Sequence, residues 1–271
     1  MPEGNRSYWY GNAAKSWIVR DLLRRSAGEP RVTVCDLGCG EGGDWPAVLA
    51  DHPELELIGY DPSPKSVARA RERLSSTSAR LFTGPHPPDL PDQVDFVVSL
   101  SVLEHVRDRR NYLATAGDSL KAGGVFYLTY DDGHFRNLLD LQRPRTWVAP
   151  LAEAGRTLLS GPLARMGKLS GYLRRVTRPE LDHLLREAGL EVESSFYSNL
   201  QSLKLLSRTI PPPARQDFMS FWIEVEQRLN SDFRADTQVN LHGDAANLWT
   251  IMVSRTLVLT RRGTRTEPKG I

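Results

Sequence analysis

Apolar residues fall into two rhythms along the first half of the chain. Residues 32–37, 55–60, 94–100 and 125–130 are largely apolar runs of strand length, rich in Val, Leu, Ile, Phe and Tyr. Such runs read as strands buried on both faces. Between them, apolar positions recur three and four residues apart, as at Val67, Ala68, Ala70 and Leu74, the spacing of a helix with one buried face. Residues 80–83 form a shorter apolar stretch, and 84–91, GPHPPDLP, hold too many prolines for regular structure. Residues 109–120 form a further helical stretch. Lys121-Ala122-Gly123-Gly124 then reads as the turn that caps it, before a strand over 125–130.

Strand and helix alternating at this rhythm predict an α/β domain with a doubly wound, mostly parallel sheet. Right-handed crossovers put the carboxyl ends of the parallel strands on one rim. The segment before the core, 1–29, holds a helical pattern over roughly 8–25 with Trp9, Ala13, Trp17, Val19 and Leu22 on one side. It reads either as a cover for the sheet or as a lid carrying Tyr8, Trp9 and Tyr10. The core proper spans 30–130. Residues 131–176 break the rhythm and carry about twice as many basic as acidic residues. Thr177-Arg178-Pro179-Glu180 has the signature of a helix start, and 177–198 supply a helix and a sixth strand. A second insertion, 199–246, contains a helix through Phe218, Phe221, Trp222, Val225 and Leu229. Residues 247–262 return strand material, at 248–253 and 256–259, and 263–271 read as a disordered polar tail.

Composition changes this picture little. The chain has 271 residues, 35 basic and 33 acidic side chains and a net charge of +2, so charge alone demands neither nucleic acid nor membrane. No apolar run approaches the ~20 residues of a membrane span. The first residues lack the apolar stretch of a signal peptide. The two cysteines, Cys35 and Cys39, are too few for a disulfide framework and suit a reducing compartment. A cytoplasmic location is therefore expected.

The chemistry concentrates at Asp36-Leu37-Gly38-Cys39-Gly40-Glu41-Gly42-Gly43, where the first strand ends in a glycine turn. Gly38, Gly40 and Gly43 satisfy the dinucleotide pattern G-x-G-x-x-G, a weak signal by itself. Asp36 argues against that reading, because a carboxylate beside a pyrophosphate in a low-dielectric crevice is repulsive. A donor with a sulfonium, an ammonium and a ribose meets no such objection. Asp61 ends the second strand, at the separation from the turn from which an acid reaches ribose hydroxyls.

Four ordered stretches carry a family resemblance: VCDLGCGEGG, IGYDPSPKSVARAR, DFVVSLSVLEHV and LKAGGVFYLTY. Together they resemble the class I S-adenosylmethionine-dependent methyltransferases, in the small-molecule branch with an LEHV-type segment. VTRPELDHLLREAGLEV resembles the element before the sixth strand in that branch. The resemblance covers roughly 30–130 and 177–198 and the last strands. It implies a seven-stranded Rossmann-like sheet and S-adenosylmethionine as cofactor. By position it implies that Asp36, Gly38 and Gly40, with the backbone of Cys39 and Glu41, cradle the methionine portion. Asp61 would take the ribose hydroxyls, Pro62 would flank the adenine, and Ser99 and Leu100 would offer backbone to the ammonium. Members often carry an acid after the third strand to bind the adenine amine. Here Gly84-Pro85-His86 stands there, leaving backbone or His86 for that contact.

Three base candidates lie near the rim: His134, His105 and Asp131, with Asp132 as a further orienting acid. Glu104, His105, Asp131, Asp132 and His134 would also suit a divalent cation, yet no fixed spacing supports one, and no metal is expected. The acceptor is expected to be a small molecule or saccharide methylated on a hydroxyl, with an amino group next in order. A non-catalytic cofactor-binding partner protein is the third reading. The basic first insertion would also suit an acidic or phosphorylated acceptor. Its Leu–Arg alternation permits a membrane-surface contact, ranked below a solvated face. No Asn-Pro-Pro-Tyr motif and no added nucleic-acid module are present, so nucleic acid is not an expected partner. No motif speaks to oligomeric state.

Overall fold

The computed structural model describes residues 7–84, 93–130, 176, 178–233 and 252–263. Seven strands form one sheet in the order β3-β2-β1-β4-β5-β7-β6. They are β1 (Val32–Leu37), β2 (Leu55–Asp61), β3 (Arg80–Thr83), β4 (Val94–Leu100), β5 (Leu120–Tyr130), β6 (Leu190–Leu200) and β7 (Met252–Arg261). Pairings from β3 through β5 are parallel, and β7 runs antiparallel to both its neighbours. The expected doubly wound sheet is therefore present. Chain order reverses beside β1, between β2 and β4, and such a switch point opens a crevice beyond the strand ends.

Helices cover both faces. They are α1 (Ala13–Arg25), α2 (Trp45–Asp51), α3 (Pro64–Arg73), α4 (Arg109–Asp118), α5 (Arg178–Glu187), α6 (Gln201–Leu206) and α7 (Arg215–Phe233). One core joins Ile18, Leu22, Val48 and Val67 to Val34, Leu57 and Tyr127 on the first face. The other joins Leu113, Ala116, Leu181 and Leu185 to Cys35, Val97 and Phe126 on the opposite face. Ser63 caps α3 as its sequence suggests: its Oγ accepts from Ser66 N–H at 3.2 Å and Pro64 opens the helix.

Three expectations need correction. The first helix begins at Ala13, five residues later than expected, because Asn12 caps it through Lys15 N–H. Lys121-Ala122-Gly123-Gly124 is no capping turn. Helix α4 stops at Asp118 with Ser119 at its cap, and these four residues belong to β5. The register against β4 jumps from Val94↔Leu120 to Phe96↔Val125, an outsized bulge. Gly123 takes φ +79° there, and a Cβ on Gly124 would sit 3.0 Å from the Asp95 carbonyl oxygen. The strand material near the end is one strand, β7, with 248–251 and the tail 264–271 outside the described residues.

The second insertion is tied back to the rim. Asn230 on α7 accepts from Tyr197 N–H and donates to Tyr197 C=O, both at 2.8 Å, so it hydrogen-bonds edge strand β6 as a neighbouring strand would. Asn199, with φ +63°, donates to Asn12 Oδ1 at 3.1 Å and Ser254 Oγ at 3.0 Å. That joins the start of α1, the end of β6 and the start of β7.

Candidate active site

The glycine turn lies at the carboxyl end of β1, beside the switch point. Gly38 (φ +89°) and Gly40 (φ +56°) both occupy left-handed backbone, but for different reasons. A Cβ on Gly38 would fall 2.3 Å from Val102 Cγ2, so the segment after β4 presses directly on the turn. A Cβ on Gly40 would meet nothing within 4 Å, so the backbone there faces open space. Gly38 N–H and Cys39 N–H both donate to the Tyr60 carbonyl, at 2.6 and 2.9 Å, which fastens the turn to β2. The Cys39 side chain is buried against Gly59, leaving its main chain to the turn. Burial pushes the Cys35 thiol up to about 12 and raises Cys39 as well, so neither is a reactive thiolate.

Asp36 is buried, and its Oδ2 accepts from the Trp45 indole N–H at 2.7 Å. Burial pushes this carboxyl up to about 6, against the Trp45 bond and the charge of Lys15 on α1, with Asp61 adding a smaller repulsion. Such a site suits a cationic group and disfavours a pyrophosphate. Asp61 uses each oxygen once for main chain: Oδ2 takes Gly40 N–H at 3.0 Å and Oδ1 takes Ser63 N–H at 2.8 Å. A carboxylate has about four acceptor sites, so room for two hydroxyl donors remains. The open backbone at Gly40, the buried acid and this half-used carboxylate fit the methionine and ribose parts of S-adenosylmethionine.

Pro62, next to Asp61, is exposed. Ser99 is fully buried with its Oγ bound by Tyr112 O–H at 2.7 Å, so only main chain at Ser99 and Leu100 is available at the rim. His105 ends a 3-10 turn, 103–105, just after β4, and its side chain is exposed while Glu104 is buried. Asp36, Gly38, Gly40, Asp61, Ser99, Leu100 and His105 thus belong to segments gathered at one rim. Asp131, Asp132 and His134 follow β5 but lie outside the described residues, as does His86. Among the described residues, no group of three His, Cys, Asp or Glu side chains is placed to hold a metal ion.

Tyr8, Trp9 and Tyr10, the aromatics of the possible lid, meet the turn and its neighbours here, while Trp45 and Ser101 escaped the sequence reading. Trp9 donates its main-chain N–H to Asp44, stacks edge-on against Trp45 at 5.4 Å, and lies where a Gly43 Cβ would come within 2.7 Å of its Nε1. Tyr8 O–H reaches Asp51 at 2.8 Å and Tyr10 O–H reaches the Ser207 carbonyl at 2.5 Å. The three aromatics therefore strap the turn, α2 and the second insertion together. Ser101 has φ +61° directly after β4, a conformation that L-residues adopt at a cost. The Trp-Pro pair opening α2 was the one available signal for Trp45. Ser101 had none.

Comparison with known proteins agrees with this geometry. A methyltransferase domain family model matches residues 11–195, more than half of the chain, and the chain belongs to that family. It is a class I S-adenosylmethionine-dependent methyltransferase, and S-adenosylmethionine is its methyl donor. A trans-aconitate 2-methyltransferase of Methylobacterium radiotolerans is 31% identical over 159 residues, 56% of this chain and 58% of that protein. A ubiquinone biosynthesis O-methyltransferase of Azorhizobium caulinodans is 27% identical over 130 residues, 44% of this chain and 51% of that protein. The chain spans about half the length of these curated relatives. A mycolic acid cyclopropane synthase solved with SAH shares the fold at a TM-score of 0.55 and 16% identity, covering 96% of this chain and 91% of that one. Among the described residues no helix is long and apolar enough to cross a membrane.

Proposed function

We propose that the chain methylates an oxygen, a hydroxyl in the first instance, on a small-molecule or saccharide acceptor that carries an acidic group. The observation behind the acidic group is Arg255 on β7. It pairs in register with Tyr130, the last residue of β5, donating to Tyr130 Oη at 2.8 Å and to Ser195 Oγ at 3.3 Å, with the Tyr197 ring 5.9 Å from its Cζ. These partners are neutral, and among the described residues this half-buried guanidinium has no carboxylate beside it, which suits it to a carboxylate or phosphate of the acceptor. Oxygen is favoured by the ubiquinone O-methyltransferase relative. The fold is indifferent to the acceptor, and an amino group is the second reading.

S-adenosylmethionine supplies the electrophilic methyl. The chain's own part is to hold donor and acceptor in line and to take the acceptor's proton. Asp36, Gly38, Cys39 and Gly40 hold the methionine end, Asp61 the ribose and Pro62 the adenine edge. Ser99 and Leu100 offer main-chain oxygen to the ammonium. His134, oriented by Asp131, is the first choice of base, with His105 the second. The two insertions, 131–176 and 199–246, would supply the cap that the acceptor needs. The setting is cytoplasmic, and nucleic acid is no substrate.

The test incubates the full chain with methyl-labelled S-adenosylmethionine and a panel of hydroxylated acids, sugar phosphates and amines. Label should enter oxygen of the acidic members, and Arg255→Gln should raise their KM at least about tenfold. Label entering nitrogen only, or an R255Q enzyme indifferent to acceptor charge, would sink this reading. H134A and H105A both keeping full turnover would remove the base assignments together.

A further inference from the structure

A cavity of about 270 Å³ lies away from the cofactor turn, between α1, β6 and α7. Its walls include Trp17, Phe196, Ile223, Ser198 and Glu226. On the aromatic side the Trp17 and Phe196 rings pack together, their centroids 4.1 Å apart. Among the described residues, Glu226 is the only charged one lining it. Its Oε1 accepts from Leu200 N–H at 2.6 Å and Trp222 Nε1–H at 2.5 Å, both neutral donors. Among the described residues no cation pairs with this carboxyl, although its side chain is only 5% exposed. Ser198 is buried too, and its Oγ has no hydrogen-bond partner among the described residues.

A buried acid without a cation is costly unless something neutralises it. One acid, two aromatic rings and a spare hydroxyl form a cage for an organic cation, since ring faces and a carboxylate both attract an ammonium. We infer that this cavity is a second binding site, for a small molecule with an ammonium group on an apolar or aromatic body. It opens on the α1 face of the sheet, where Phe196 packs, whereas Tyr130, the partner of Arg255, belongs to the core of the opposite face. Strand β6 lies three places from β4 in the sheet, a lateral offset of about 14 Å at the usual strand spacing. Burial pushes Glu226 up to about 7, opposed by its main-chain and Trp222 bonds, and an ammonium would favour the ionised form. The site is coupled to the rim through β6, because Glu226 holds Leu200 N–H beside the left-handed Asn199.

Benzylamine and its neutral counterpart benzyl alcohol are the probes, titrated into the full chain by calorimetry. Benzylamine should bind at least about tenfold more tightly than the alcohol, the margin of one charge-assisted contact. Glu226→Gln keeps an oxygen for Leu200 and Trp222 and should erase that margin. Ile223→Trp fills the cavity and should abolish binding of both probes. SAH affinity should stay unchanged in both variants. Equal binding of the two probes, no binding of benzylamine, or a margin that survives E226Q would overturn the site. Methylation of benzylamine by the wild-type chain would overturn its separation from the catalytic centre. Should I223W fail to fold, E226Q alone decides.

Discussion

The indole N–H of Trp45 points at Asp36 Oδ2 across 2.7 Å, and both side chains are buried. This bond fixes one oxygen of the acid next to the end of β1. It also stabilises the charged form against a strong desolvation penalty. Trp45→Phe keeps the ring and removes the donor. The Asp36 carboxyl should then titrate higher than about 6. SAH affinity at neutral pH should fall by roughly 1.5–3 kcal/mol, the usual worth of a hydrogen bond to a charged group. Calorimetry with SAH from pH 5 to 8 checks both. A W45F variant with the wild-type pH profile would show that Trp45 merely packs.

Asp36 also sets a pH signature in the ligand-free chain. Its folded value is raised from 3.8 to about 6, so between those limits the folded chain holds a proton that the unfolded chain has lost. Its contribution to stability is therefore fully present below pH 3.8 and disappears as pH rises through about 6. Asp21 acts with the opposite sign. Arg24 at 2.6 Å, Arg25 at 2.7 Å and Tyr127 at 2.8 Å lower its value despite burial, so its contribution is lost as pH falls. The difference between wild type and Asp36→Asn isolates the first term. Urea unfolding across pH 4 to 7 should show D36N gaining relative stability as pH rises, by at most about 3 kcal/mol. A difference independent of pH would contradict a raised Asp36.

Much of the architecture was legible in the chain because strands buried on both faces are apolar throughout and Pro-Ser-Pro punctuates the start of α3. Asp36, Gly38, Gly40 and Asp61 stood out because glycine and acid at strand ends serve chemistry that packing does not require. The misreading at Lys121-Ala122-Gly123-Gly124 has a local cause. Paired glycines after a helix look like a cap, and only the sheet register shows that they accommodate extra residues of β5 against Asp95. Trp9 over Gly43, Trp45 on Asp36 and the buried Glu226 were illegible for another reason. Each is a tertiary pairing whose partner lies well along the chain or on another element. Glu226 in particular sits at an ordinary polar helix position until Leu200 and Trp222 close on it.

Asp61→Ala separates cofactor binding from turn geometry. The substitution removes the acceptor of two main-chain bonds, to Gly40 and Ser63, together with the proposed ribose contacts. Two lost charge-assisted contacts should weaken SAH binding by about 30-fold or more. Asp61→Asn keeps one acceptor oxygen and should fall between. An SAH affinity within about twofold of wild type in D61A would refute the ribose role, since that change is smaller than one ordinary hydrogen bond.

Gly38 and Gly40 should fail in different ways. Gly38→Ala meets Val102 Cγ2 at 2.3 Å and must also hold φ +89°, so either the turn or the segment after β4 has to move. Overpacking and left-handed strain together should cost about 2–4 kcal/mol of stability. Gly40→Ala has free space for its methyl and carries only the backbone penalty at φ +56°, about 1 kcal/mol. Its methyl would occupy the open side of the turn, where the methionine portion is proposed to lie. G38A should therefore show the larger drop in thermal midpoint, and G40A the larger loss of SAH affinity per unit of lost stability. Paired thermal denaturation and calorimetry decide it. If G40A lost as much stability as G38A while keeping its affinity, the open face of Gly40 would not be the cofactor side.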